Sequence, residues 1–506
     1  MRRIDTAFLP ETLCRSVVFW VLVWLAAPVQ AQDFVWTPGL QRVYTDLQKA
    51  NVQPARQLLA REPTHNGIRI FVDDYADMLT LVTSDDDQLF ATWSDREAER
   101  LDGLQSLDDT SPWQRVLQAE VRLHWAFIKL KFGKEMSASW DVIRAYKLLA
   151  DNQKRFPDFL PTYKSLGTLH IMIGSVPESY SWVASLLGLR GTIQQGQQEI
   201  SRAQRDPVFG LEARLIDLMV RAYVLRFTEA DSQTLQQLIR ANPDNLLLHF
   251  FGATIEQKNG HSEQALTYLN ARPTAASYQP IPVMDNILGD IYLQKGQYGT
   301  ATRHFQRFLS TYRGRNFLKD SYYKLFLCQW LANEPDASAR PLLVQVTRVG
   351  RQAVESDKAA QKLAEQYLKR SPSAQQKVLM RARLAADGGY TDSALAYLRP
   401  YTEARFPALA EQIEYNYRLG RIYQRRNAPD TAAPYLSRAL TLADSPAARQ
   451  QNLSFGASSA LQLGYIYQQK NDRTRARSFF EKALSFKRHE YKNSVDNKAK
   501  AALSGL

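Results

Sequence analysis

The chain has 506 residues, 45% hydrophobic and 23% charged, with a formal net charge of +13. That length exceeds what one hydrophobic core usually serves, and that composition excludes a disordered chain, so an ordered multi-domain or repeat build is expected. The positive excess favours acidic partners such as anionic lipid, anionic glycan or acidic protein surfaces, yet no run of five or more basic residues concentrates it.

Residues 1–31 differ in character from the rest. Arg2, Arg3 and Arg15 precede an apolar run from Val17 to Ala27, and Val29-Gln30-Ala31 supplies the small residues of a cleavage site. The pattern predicts a secretory signal peptide cut before Gln32. A membrane-spanning helix needs about 20 apolar residues, which this run does not reach. Cys14 lies before the apolar run, so it is no lipoprotein attachment site. Removing the leader leaves about +12 of net charge and one cysteine, Cys328, which has no internal partner and reads as a small core residue.

Beyond the leader, every strong pattern is helical. Thr37-Pro38 is a helix start, with a helix through Leu47 and a second from about Gln53 to Arg61. Gly67–Asp73 carries β-favouring residues, but the following apolar positions keep helical spacing. Asp85, Asp86 and Asp87 lack the glycine and distal glutamate of a calcium loop, so helix capping is expected there. A long helix runs from Ser111-Pro112 to about Phe132, another through Trp140, Ile143, Ala145 and Leu149 to Pro157, and a third through Leu166, Gly167 and His170. Gly174–Gly196 is the least regular stretch. Ser175-Val176-Pro177-Glu178 opens a helix, and Gly188, Gly191 and Gly196 imply a sharp elbow between closely packed helices. Helices then cover Leu211–Leu225, Leu235–Ala241 and Leu246–Gln257, with a returning helix through Ala265, Tyr268 and Leu269. The Pro-containing stretch 273–282 separates an N-terminal lobe, 32–272, from a C-terminal lobe, 283–506. The latter ends in a short capping helix, Ser494–Leu503, with Lys498 and Lys500 pointing outward.

Three segments of the C-terminal lobe share one register. Leu288-Gly289, Tyr292, Ala301, Phe305 and Phe308 form the first; Leu419-Gly420, Tyr423, Ala432, Leu436 and Ala439 the second; Leu463-Gly464, Tyr467, Ala476, Phe480 and Ala483 the third. This spacing resembles the tetratricopeptide repeat, a ~34-residue helix pair with small residues where its helices cross and aromatics in the holes between pairs. Partial copies are legible at 145–157, 253–269 and 382–398. The resemblance implies an all-α fold, a tetratricopeptide-like α-solenoid coiled as a right-handed superhelix of antiparallel helix pairs. A second likeness, carried by Pro177, Leu187-Gly188, Gly191 and Gly196, is to the inclusion-body clearance proteins of the fungal mitochondrial outer membrane. Those relatives lack a signal peptide, so their location does not carry over.

No reactive constellation is legible. The seven histidines, His65, His124, His170, His249, His261, His304 and His489, show no metal-ligand spacing and read mostly as half-exposed helix residues. No nucleophile elbow, phosphate loop or dinucleotide fingerprint is present. No catalytic, cofactor-binding or metal site is therefore assigned, and no cofactor is expected. In the resembled family, positions five, nine and thirteen of the first helix of a repeat face the peptide groove. Carried over, these are Asn286, Asp290 and Gln294; Tyr417, Arg421 and Arg425; and Leu461, Tyr465 and Gln469.

These readings converge on an exported, periplasmic, non-enzymatic scaffold that captures envelope proteins, with peripheral association with the outer membrane as an option. Neither nucleic acid nor an integral membrane span of the mature chain is expected. One alternative is a binding module for an anionic envelope lipid or glycan. Another is a glycan-active enzyme, because paired carboxylates are spatial and leave no sequence spacing.

Overall fold

Helix starts along the chain are set by short polar side chains. Thr37 accepts from the Leu40 amide, Ser111 from Trp113, Thr192 from Gln195 and Asn245 from Leu248. Each satisfies one amide that the first turn leaves without an intrahelical partner. The β-favouring stretch at residue 67 is absorbed the same way. Asn66 accepts from the Ile68 amide, and a single helix runs Gly67–Ser84 with Ile68, Phe71 and Val72 buried. Burial against neighbouring helices outweighs a β-propensity that itself reflects packing.

This computed structural model describes residues 33–176, 187–333 and 335–506. The predicted leader and the helix start at Pro177-Glu178 lie outside the described residues, as does the part of the second likeness that rests on Pro177. Among the described residues every regular element is helical. Successive helices pack as antiparallel neighbours: Pro112–Lys131 on Glu135–Arg155, Pro161–Gly174 on Ile193–Ala203, Val283–Gln294 on Tyr298–Thr311, Leu409–Arg425 on Pro429–Ala443 and Phe455–Gln469 on Arg473–Leu484. Each pair then stacks on the next, and Lys492–Ser504 covers the last one. This is an α-solenoid. None of the described helices is long and apolar enough to cross a membrane.

The core accordingly forms a string of local clusters. One gathers Ile413 to Ala499, another Leu293 to Tyr367, another Leu379 to Ile422. The first and largest draws the N-terminal helices against those of residues 209–291. Tyr44 and Phe209 rings meet edge-on at 5.5 Å, and the Leu246 amide donates to Lys49 O. The 273–282 segment lies on this body: the Gln279 amide donates to Ala50 O and the Tyr278 hydroxyl to Asp244 O.

The repeat register is visible as contact. A Cβ on Gly289 would lie 2.5 Å from a Phe305 ring carbon, one on Gly420 2.6 Å from Leu436, and one on Gly464 2.4 Å from Phe480. In each unit, then, the small residue admits the large side chain of the returning helix. At the elbow, Gly167 and Gly196 bring two helix backbones together, since a Cβ on Gly196 would sit 2.3 Å from Gly167 O. Cys328 is buried, and its thiol is pushed up to about 12 by burial.

Candidate functional site

The inner face of the C-terminal helices looks across at the Gly210–Tyr223 and Leu246–Asn259 helices and the segments that follow them. Two adjoining clefts lie between, sharing Arg425. One, of ≈ 320 Å³, is walled by Leu225–Glu229, His261, Arg421, Leu461, Tyr465, Gln469 and Lys498. The other, of ≈ 610 Å³, is walled by Tyr223, Lys258, Asp290, Gln294, Arg383, Tyr417, Arg418 and Phe455.

Eight of the nine positions carried over from the repeat pattern line these clefts. The reason is local: residues one helical turn apart share a face, and stacking three such helices aligns their faces. Asp290 is bound by Lys324 at 2.6 Å, and Gln294 accepts from the Ser262 hydroxyl at 2.7 Å. Tyr417 packs on Phe455, ring centroids 5.3 Å apart, with the Arg418 guanidinium 5.4 Å from the Tyr417 centroid. Arg421 donates to Gln424 and Gln462 side chains at 2.5 and 2.7 Å. Leu461 and Tyr465 form the buried floor, and Gln469 is exposed at the rim. Asn286 departs from the groove. It is 4% exposed and donates to the Ser321 hydroxyl, because the Leu318–Leu331 helix stacks over it.

The clefts are short of negative charge. Arg425 donates to Ala386 O and packs beneath Gly260, whose φ of +82° holds the turn. Burial first, then Arg421, draws the Arg425 guanidinium down to about 10. Lys498 is drawn down to about 8 by burial, then by Lys258 and Arg421. Burial also lowers the Lys258 ammonium, which sits 4.8 Å from the Tyr223 ring centroid. The Arg226 guanidinium lies 4.9 Å from the Tyr465 centroid.

Two expectations are corrected. Lys498 faces the cleft, because Val495 and Ala499 seat the terminal helix and leave Lys498 at the edge of that buried stripe. Half-exposure does not describe most of the seven histidines: His124, His170 and His249 are buried and His65 is exposed, leaving His261, His304 and His489 half-buried. His124 lies 2.7 Å from Asp74, His170 2.5 Å from Glu199, and His249 2.8 Å from Tyr268 O. Their partners come from other helices, so no spacing foretold them. Among the aspartates, Asp86 caps the Asp87–Trp93 helix as expected. Asp85 does something the sequence left unread. It is buried with φ +55°, accepting from the Tyr312 hydroxyl at 2.6 Å and from the Arg315 and Asn316 amides at 3.1 Å. Sequence reasoning also missed Arg226, Lys258 and Arg383, which belong to no clear repeat. Among the described residues, no group of His, Cys, Asp or Glu is arranged to hold a metal ion.

The fold is a helical-repeat α-solenoid with repeat units of tetratricopeptide type. The Tetratricopeptide repeat family model matches residues 457–490, a window in which Leu463-Gly464 falls at positions seven and eight. No curated protein matches the sequence. Similar solved structures include the human IFIT1 dimer with PPP-AAAA (12% identity, 90% of this chain and 96% of that one, TM-score 0.27). Others are Cut9 in the APC/C hetero-tetramer Cut9-Hcn1 (14%, 96% and 99%, 0.24) and yeast Tom70 (12%, 92% and 81%, 0.24). At such scores no property of those proteins transfers to this chain.

Proposed function

We propose that this protein is an exported, non-enzymatic scaffold that captures a helix or extended segment of an envelope protein on its inner face. The observation that carries the reading is the convergence of Asp290, Gln294, Tyr417, Arg421, Arg425, Leu461, Tyr465 and Gln469 on two adjoining clefts. Tyr and Arg combine rigid contact area with forked hydrogen bonding, the chemistry enriched in interface hot spots. Export rests on the leader at 1–31, and placement in the periplasm follows from it. The repeat fold favours binding over catalysis.

Affinity capture from intact envelopes with the mature chain tests this. One or more proteins should be recovered reproducibly, and recovery should fall at least tenfold with Tyr417→Ala. Capture of no reproducible protein would sink the scaffold. A second reading, recognition of an anionic envelope component, is favoured by the cation excess in the clefts. It requires binding that collapses between 50 and 500 mM salt, a steeper loss than a groove recognised by packing would show.

A further inference from the structure

The smaller cleft is built from parts far apart in the chain. Arg226 comes from the loop after the Gly210–Tyr223 helix, Arg421 and Arg425 from one face of the Leu409–Arg425 helix, and Lys498 from the terminal helix. Among the described residues none of these four has a carboxylate at ion-pair distance. Arg421 is met by side-chain amides, Arg425 by a main-chain carbonyl, Arg226 by a tyrosine ring, and Lys498 by no hydrogen-bond or ion-pair partner. Glu229, at the mouth, is the one carboxylate in the lining.

Elsewhere the fold meets buried cations singly, Lys319 by Val346 O and the Gln361 side chain, or holds them between paired carboxylates. Lys164 is held by Glu120 and Glu212 at 2.8 and 2.9 Å, Lys324 by Asp290 and Asp320 at 2.6 and 2.5 Å, and Lys129 by Glu97 and Asp141 at 2.5 and 2.6 Å. Uncompensated charge in a partly desolvated site is costly, so a cluster left without counter-charge calls for an anion from outside. Two guanidinium groups one helical turn apart, a third opposite and an ammonium beside them suit the tetrahedral oxygens of a phosphate group. The volume of ≈ 320 Å³ suits a compact ligand. Leu461 and Tyr465 supply an apolar floor for a carbon substituent.

We propose that the cleft framed by Arg226, Arg421, Arg425 and Lys498 binds a compact phosphate-bearing dianion. Once bound, it ties the C-terminal repeats to the N-terminal half of the solenoid. The proposal does not rest on capture of a protein partner, and each can fail without the other.

Calorimetric titration of the mature chain with pyrophosphate at pH 7 and constant ionic strength tests it, alongside co-sedimentation with phosphatidic-acid vesicles. Saturable one-to-one binding of pyrophosphate would mark a soluble ligand. Binding to the vesicles alone would mark a lipid headgroup, and either result carries the phosphate chemistry. Arg421→Gln and Lys498→Gln should each weaken binding at least tenfold. Lys470→Gln, whose lysine pairs with Asp430 outside the cleft, should leave it unchanged. Far-UV circular dichroism checks folding, and Lys498→Gln on the terminal helix keeps the test open if Arg421→Gln misfolds. Absence of binding to both probes, or binding unaffected by Lys498→Gln in folded protein, would overturn the proposal.

Discussion

Lys498 is a charge the fold holds against its own electrostatics. Its ammonium is lowered to about 8, by burial first and then by Lys258 and Arg421. Below pH 8 it is protonated in both folded and unfolded chains and the penalty is fully present. Between pH 8 and about 10.5 the unfolded chain binds the proton more tightly, so stability rises with pH through that window; above it the penalty is gone. Lys498→Met should therefore stabilise the protein at pH 7 by about 1–2 kcal/mol, discounted for partial solvent screening. Urea unfolding across pH 7–10.5 should show the rise in the wild type and its loss in the variant. Asp85 is the opposite case. Its carboxylate satisfies a hydroxyl, two amides and the Asn316 side chain in a fully buried site. Asp85→Ala leaves those donors unpaired and should cost about 3–5 kcal/mol in urea midpoint measurements. A variant within 1 kcal/mol of wild type would show that the site relaxes around the loss.

At the level of the helix pair, the governing feature is one glycine per repeat facing one large side chain. Gly464 and Phe480 belong to the unit the family model matches. A Cβ at Gly464 would press on the ring at 2.4 Å, and Phe480 is fully buried and cannot swing away. Gly464→Ala should destabilise by about 1–3 kcal/mol, the usual cost of overpacking. Smaller side chains opposite should relieve it: the double variant Gly464→Ala/Phe480→Leu should be at least about 1 kcal/mol more stable than the two single losses add up to. Strict additivity would show that the helices do not touch through this pair. These contacts were legible in advance because Leu-Gly, Ala and Phe recur at fixed offsets. Gly167 and Gly196 repeat no motif; the clustering of Gly196 with Gly188 and Gly191 hinted at a close crossing, and nothing in the sequence marked Gly167 as its other side.

For the whole molecule, a core divided into successive clusters implies stability that is summed from neighbours. The terminal helix Lys492–Ser504 contributes Val495 and Ala499 to the cluster containing Phe480 and Phe486, and Asn497 donates to Ser175 O in the N-terminal half. Deleting residues 492–506 should strip amide protection from the Phe455–Gln469 and Arg473–Leu484 helices in hydrogen-exchange mass spectrometry. The Pro112–Lys131 and Glu135–Arg155 helices should stay protected. Loss of protection throughout would mean that the solenoid unfolds as one unit.

By itself, the sequence determined that the described chain is helical, that its helices pair, and where three repeats lie in register. Those properties depend on separations of a few residues: caps, turn glycines and a period near 3.6. Eight cleft positions were reached through the resemblance to the repeat family, which fixes which face of a repeat's first helix turns inward. Which charges meet was decided only by tertiary structure. Arg226 beside Tyr465, Lys498 beside Arg421, Asp85 beneath Asn316 and His170 against Glu199 are each brought together by the stacking and coiling of whole helix pairs. Small changes in the angle between successive pairs add up along a solenoid, and no local pattern of residues records their sum.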